Sequence, residues 1–298
     1  MTITKVYVLV YNFDALFDMK ILIVGVGLIG GSFSLALKGK RNLLFGGYDL
    51  NRDALSKAEE LGIISKSFNA FEEALAWADV IILSIPVAGI KTILPQILNS
   101  INAGQYVVDF GSTKSSICQA VKDHPKRNQF IAAHPIAGTE HSGPEAAFAE
   151  LYQAKNLILC DTERSDPLKL KEFEVLAADG GFYLTKMNSE EHDRHLAYIS
   201  HLSHITSYAL SNAVLKKEKD GEVILDLAGS GFESTVRLAK SSPSMWSSIF
   251  LENKEMVLKG IEAYKKELER LEQYIQDEDG NAVSKYLEEG REIRKILK

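Results

Sequence analysis

The sequence predicts an α/β fold: a doubly wound parallel sheet over roughly the first two-thirds of the chain, then an all-helical C-terminal domain. Three observations carry this. From Lys20 to about Thr162, short and nearly continuous apolar runs alternate with helix-like segments, the pattern of strands covered on both faces by crossover helices. A glycine-rich turn joins the first such run to the first helical segment. From about Ser189 to the end the pattern is helical throughout.

The strands are expected at ILIVG (21–25), LLFGGYD (43–49), DVIILSIP (79–86), YVVDFGS (106–112), FIAAHPI (130–136) and NLILCD (156–161). Between them DALSKAEELG (53–62) and AGIKTILPQILNSI (88–101) carry helical patterns. After GGFYLTKM, residues 189–215 and 245–276 each suggest one long helix, longer than an isolated segment sustains without partner packing. Tyr198, Leu202, Ile205 and Ala209 keep an apolar spacing on one side of the first of these, which suggests a helical dimerisation domain and a homodimer.

The 298 residues suit two domains, placed at 19–187 and 188–298 behind an N-terminal extension of residues 1–18. That leader lacks a basic start and a small-residue cleavage site, so it does not read as a signal peptide, and Met19 is the expected start of the fold. Hydrophobic residues make up 46% and charged residues 25%, which is enough to fill ordinary cores. A net charge of −6 argues against a general nucleic-acid binder yet permits an anionic substrate, since a few local cations outweigh the average field. Two cysteines, Cys118 and Cys160, form no pairing motif, which fits a reducing cytoplasm. No apolar run approaches the ~20 residues of a membrane helix.

Gly25, Gly27 and Gly30 form a GxGxxG directly after the first strand and before a helix. Gly25 permits the tight turn, Gly27 lets the backbone approach a pyrophosphate, and Gly30 allows close helix–strand packing. With Leu28 and Ile29, the helix N-terminus offers free N–H groups to phosphate oxygens. Asp49 ends the second strand, where a carboxylate accepts hydrogen bonds from adenosine ribose hydroxyls and repels a 2′-phosphate. The Rossmann-type plan and NAD rather than NADP are therefore expected. Arg52 stands against that preference, and Asp49 could instead merely begin a turn.

The ligand crevice of such a sheet lies at the carboxyl ends of its strands. Two of these ends are unusual: Gly111, Ser112 and Lys114 follow one, and His134 and Glu140 belong to the next. His134 is placed to face a nicotinamide, although a lone strand-end histidine is more often a packed or solvated residue. His201 and His204 lie three apart on one helical face, with His192 and His195 nearby. The four do not share one face, and no further ligands complete a set, so no metal site is expected.

In order, GVGLIGGS, GSTK, HPIAGTEHSG, SHLSH and R-x-A-K-S-S-P-x-x-W resemble the prephenate and arogenate dehydrogenase family, from about Met19 to at least Glu255. HPIAGTE with its downstream SG is the most specific piece, and the glycine turn the least. The resemblance implies an NAD-dependent oxidative decarboxylation of prephenate to 4-hydroxyphenylpyruvate in tyrosine biosynthesis, or of arogenate to tyrosine. It implies that His134 accepts the hydrogen bond of the ring hydroxyl, helped by Ser112. Arg237 becomes the clamp for a substrate carboxylate, since a guanidinium binds one with two parallel hydrogen bonds. His201, His204, Glu140 and Trp246 become candidate substrate contacts, with core packing the alternative for the histidines and the tryptophan.

One position departs from the pattern. Glu233, four before Arg237, stands where some family members carry lysine, and an acid there could tolerate the amino group of arogenate. Two rivals remain. A β-hydroxyacid dehydrogenase needs a lysine on the long interdomain helix, which has none before Lys216. A non-catalytic NAD-binding regulator needs the glycines and Asp49 but not His134 together with Arg237.

Overall fold

The computed structural model describes residues 19–219 and 224–296; the expected N-terminal extension, 1–18, lies outside them. The first part runs β1 (Met19–Val24), α1 (Leu28–Leu37), β2 (Leu43–Tyr48), α2 (Arg52–Glu60), β3 (Lys66–Ser67), α3 (Phe71–Trp77), β4 (Val80–Leu83) and α4 (Val87–Ser100). It continues with β5 (Tyr106–Asp109), α5 (Ser115–Ala120), β6 (Phe130–Pro135), β7 (Asn156–Cys160), α6 (Pro167–Asp179) and β8 (Tyr183–Met187). These strands form one eight-stranded sheet in the order β3-β2-β1-β4-β5-β6-β7-β8.

Alternate residues of β1 serve opposite faces. Ile21 and Ile23 pack with Phe33 and Leu37 of α1 and Phe173 of α6. Leu22 and Val24 pack with Leu75 of α3, Leu94 and Ile97 of α4, and Ile117 of α5. Two layers of helix therefore enclose the sheet, as its continuous apolar strands require.

The sheet is not wholly parallel. β7 pairs with β6 antiparallel, with Ala132 opposite Cys160 and Pro135 opposite Leu157, and β8 then runs parallel to β7. Only short 3-10 turns at Pro144–Ala146 and Ala149–Tyr152 lie between β6 and β7. A parallel return usually runs through a crossover helix; residues 136–155 contain none, and the chain comes back beside β6 in the opposite sense. Strand apolarity carries no direction, so the sequence could not show this. Cys118 and Cys160 are both buried and free.

The remainder is helical: α7 (Ser189–Leu196), α8 (Leu202–Lys219), α9 (Ser230–Val236), α10 (Pro243–Glu252), α11 (Lys254–Gln276) and α12 (Gly280–Arg291). Both expected long helices are interrupted. A π-wound stretch, Ala197–His201, joins α7 to α8, and π-bulges of this kind gather at functional sites. The second breaks at Asn253, whose φ of −110° and ψ of 31° leave the helical region. Asn253 is buried there, and its Nδ2 donates to the carbonyl of Asp193 at 2.8 Å and lies 3.2 Å from Nδ1 of His201. A tertiary contact, rather than a local breaker residue, sets the break. Among the described residues no helix is long and apolar enough to cross a membrane.

Candidate active site

The glycine turn has the geometry its residues allow. Gly25 has φ +91°, a conformation L side chains rarely adopt. A Cβ on Gly30 would stand 2.3 Å from Oγ of Ser84 and 2.5 Å from the carbonyl oxygen of Gly25, so α1 packs on the strand ends only with glycine there. A Cβ on Gly27 would meet nothing within 4 Å, and α1 starts at Leu28 with no side-chain cap. That open backbone and the uncapped N–H groups of Leu28 and Ile29 fit a dinucleotide pyrophosphate.

Asp49 does both things considered for it. Its Oδ1 accepts from the N–H of Asn51 at 2.8 Å, holding the turn into α2, and its Oδ2 accepts from the N–H of Val26 at 3.0 Å, tying the glycine turn to β2. Each oxygen keeps further acceptor capacity for a ribose hydroxyl. Arg52 is turned elsewhere, with its guanidinium on Oδ1 of Asn69 at 2.7 Å and on the Asn69 carbonyl at 3.0 Å.

His134 stands near the end of β6, and a relay backs it. Its Nδ1 lies 2.8 Å from Nε2 of His192, whose Nδ1 lies 2.7 Å from Oδ1 of Asp193. Asp193 accepts the backbone N–H groups of Lys114 and Ser115, one on each oxygen and each at 2.8 Å, at the start of α5. Burial pushes the Asp193 carboxyl up, but the bonds from His192, Lys114 and Ser115 outweigh it and hold the group below the ordinary carboxylate value. Burial pushes His192 down, against the pull of Asp193. Burial, reinforced by His192, Lys114 and His201, pushes His134 well below the ordinary imidazole value.

Two neutral imidazoles and an ionised carboxylate permit one assignment of protons. Asp193 accepts only, so Nδ1 of His192 carries the proton and its Nε2 is bare. Nδ1 of His134 must then donate to it, and Nε2 of His134 is left as an acceptor. Ser112 is half-buried in the loop between β5 and α5, and the bond with His192 orients His134.

The remaining candidates belong mostly to the helical domain. His204 is stacked on Trp246, with centroids 3.5 Å apart and planes at 26°, and its Nδ1 lies 3.0 Å from the Ser200 carbonyl. Trp246 is 7% exposed, and its Nε1 has no described partner. His201 is buried behind them, edge-on to Trp246, and burial pushes its imidazole down to about 4. Arg237 is exposed, in the 3-10 turn after α9. The hydroxyl of Ser207 pins that segment to α8, donating to the Thr235 carbonyl at 3.0 Å and accepting from the N–H of Ala239 at 3.1 Å. Burial pushes the His204 imidazole down, the bond to the Ser200 carbonyl pulls against it, and the Arg237 charge adds a smaller downward push. That charge also reaches exposed Glu140, whose carboxyl is held low first by its own backbone N–H and then by His141, Arg237 and Lys240.

The candidate residues thus fall on two parts of the chain: His134 and Glu140 on the sheet domain, and His201, His204, Trp246 and Arg237 on the helical one, with the Arg237 charge felt by Glu140 across the two. His195 is exposed, 4.0 Å from Glu191. Sequence reasoning missed the roles of His192, Asp193 and Asn253, since no local motif marks contacts spanning 58 to 79 residues.

Comparison with known proteins agrees with this geometry. A family model described as the prephenate dehydrogenase nucleotide-binding domain matches residues 33–182, and one described as the prephenate dehydrogenase dimerization domain matches 188–289. The prephenate dehydrogenase of Bacillus subtilis is 30% identical over 280 residues, covering 92% of this chain and 75% of that protein. The crystal structure of prephenate dehydrogenase from Aquifex aeolicus, in complex with hydroxyphenyl propionate and NAD+, superposes with a TM-score of 0.88 at 34% identity, covering 95% of this chain and all of that one. Synechocystis arogenate dehydrogenase superposes with a TM-score of 0.77 at 26% identity, covering 94% of this chain and 100% of that one. With both halves matched and the similarity running along nearly its whole length, the chain belongs to the prephenate dehydrogenase family.

Proposed function

We infer that the chain oxidises and decarboxylates prephenate with NAD, giving 4-hydroxyphenylpyruvate for tyrosine synthesis. The observation that carries this is the relay from Asp193 through His192, which leaves Nε2 of His134 as a bare acceptor at the strand ends. Gly25, Gly27, Leu28, Ile29, Gly30 and Asp49 hold the dinucleotide, and NAD, when bound, supplies the acceptor for the hydride leaving the hydroxyl-bearing ring carbon. Nε2 of His134 takes the hydroxyl proton as that carbon becomes a carbonyl. The bond to the ring carboxylate then breaks, carbon dioxide leaves, and its electron pair runs through the ring to the oxygen. His134 returns the proton to that oxygen, and the ring is aromatic. Ser112 assists at the hydroxyl. Arg237 binds a substrate carboxylate, and Trp246, His204, His201 and Glu140 shape that end of the cleft.

Arogenate is the second reading, favoured by exposed Glu233, one turn before Arg237. Absorbance at 340 nm with each substrate and each cofactor tests the whole assignment. A rise with prephenate and NAD is expected, and none with either substrate would sink it. We further propose a cytoplasmic homodimer joined through the helical domain, on whose apolar spacing Tyr198 remains 46% exposed in the single chain. Light scattering that returns one chain's mass, 33.0 kDa, would overturn the dimer.

A further inference from the structure

Lys114 is the part of the GSTK segment that the reaction above leaves unused. Its side chain is 0% exposed, and its ammonium is paired with the equally buried Asp109 at the end of β5. The same ammonium donates to the carbonyl of Ala133 at 2.7 Å, the residue just before His134 on β6. Its backbone N–H holds Asp193, the far end of the relay. One residue therefore touches both the strand that carries the candidate base and the carboxylate that orients it. A buried ion pair is weak support for a fold, since desolvation offsets most of the attraction and apolar replacements often do as well. That shifts the account of this pair toward the site above it.

We propose that Lys114 is a positioning residue for the reaction, its buried ammonium clamping the end of β6 to β5 beneath His134 and setting the field in which that imidazole works. The proposal rests on the reading of His134 as the hydroxyl's acceptor. The groups acting on His134 are His192 from α7, itself held by Asp193, His201 from the π-wound stretch, and Lys114 from the loop after β5, itself paired with Asp109. Within this set Lys114 supplies the fixed positive charge. It opposes a proton on His134, alongside the larger effect of burial. Asp109 partly offsets it; burial raises the Asp109 carboxyl against the pull of Lys114.

The test is the titration of the imidazole pair, followed by nitrogen-15 histidine spectra of the full chain without substrate, beside the acid limb of kcat/KM on prephenate. Lys114→Met removes the charge, so both midpoints are expected to rise by about one pH unit, with kcat down about ten- to a hundredfold. Asp109→Asn leaves the ammonium unopposed, so the midpoints should fall. Opposite signs from the two substitutions support the proposal. Wild-type midpoints in both, or displacement in the same direction, would overturn it, because mere loosening has no sign. The paired variant D109N/K114M buries no lone charge and should shift upward, which keeps the test available if K114M does not fold. An ordinary imidazole midpoint in the wild type would overturn the proposal outright. The spectra need no turnover, so a wild type inactive on prephenate would refute the substrate assignment while still deciding the role of Lys114.

Discussion

In the sheet half, Ile21, Leu22, Ile23, Ile81 and Val107 are wholly buried, and helices close both faces around them. In the helical half, burial thins out beyond the seam. Trp246, Ile249 and Val257 are buried, but Leu258 is 53% and Ile275 is 60% exposed, and beyond Gly260 no described residue is buried. The first half completes its own core. The second has apolar surface to spare, which suits the proposed dimer. The active-site groups divide along the same line. The proposed base and its relay belong to the closed seam, and the proposed carboxylate clamp to the open helical wall. Buried groups with fixed partners suit a step that depends on one proton at one atom. An exposed guanidinium suits capture of a charged substrate from water.

This contrast predicts different kinetic signatures on the two walls. His134→Asn, at the seam, should lower kcat by about a hundred- to ten-thousandfold with little change in KM, because a general base acts mainly in the transition state. Steady-state rates with prephenate and NAD check it; a kcat near the wild-type value would remove His134 from the chemistry. Arg237→Ala, on the open wall, should raise the KM for prephenate about ten- to a hundredfold, the worth of a charge-assisted contact. An unchanged KM would return Arg237 to the solvated surface and dissolve the division between the walls.

The seam should also be the acid-sensitive part of the fold. Burial holds His134, His192 and His201 below their unfolded values, so the unfolded chain binds more protons over that interval. Stability is then full above the unfolded imidazole value of about 6.5 and declines as pH falls toward the folded values. For His201, held at about 4, the loss by pH 5 is on the order of 2 kcal/mol. Urea unfolding between pH 7 and pH 5 measures this, and a flat profile would mean these rings are not buried neutral.

What the sequence reveals follows the range of the interactions involved. Gly25 and Gly30 are legible because a left-handed turn and a close helix approach are local demands that glycine alone meets. The strands are legible because apolar runs report burial on both faces. The direction of β7 is not, since it depends on a connection that lacks a helix. The break at Asn253 carries no glycine or proline, because Asp193 and His201 set it from elsewhere in the chain. His134 is visible at a strand end, but its proton is placed by His192 and Asp193, and only the folded chain brings those together. Lys114 stands in a readable motif, whereas its partners Asp109 and Ala133 acquire meaning only through the pairing of β5 with β6.

The smallest predicted effect concerns the open wall alone. Glu233 is exposed on α9, four residues before Arg237, so its charge faces water and is screened. An exposed pair of charges is worth only about 0.2–1 kcal/mol. Glu233→Lys should therefore change the ratio of kcat/KM for prephenate over arogenate about two- to fivefold. The direction is fixed by charge: a lysine repels the ammonium of arogenate and attracts the carboxylates common to both substrates, so the ratio should move toward prephenate. Parallel assays at low and moderate salt check it, and the shift should shrink as salt is added. A change that is large or indifferent to salt would place Glu233 in contact with the substrate, and the helical wall would then hold a built specificity site rather than a screened field.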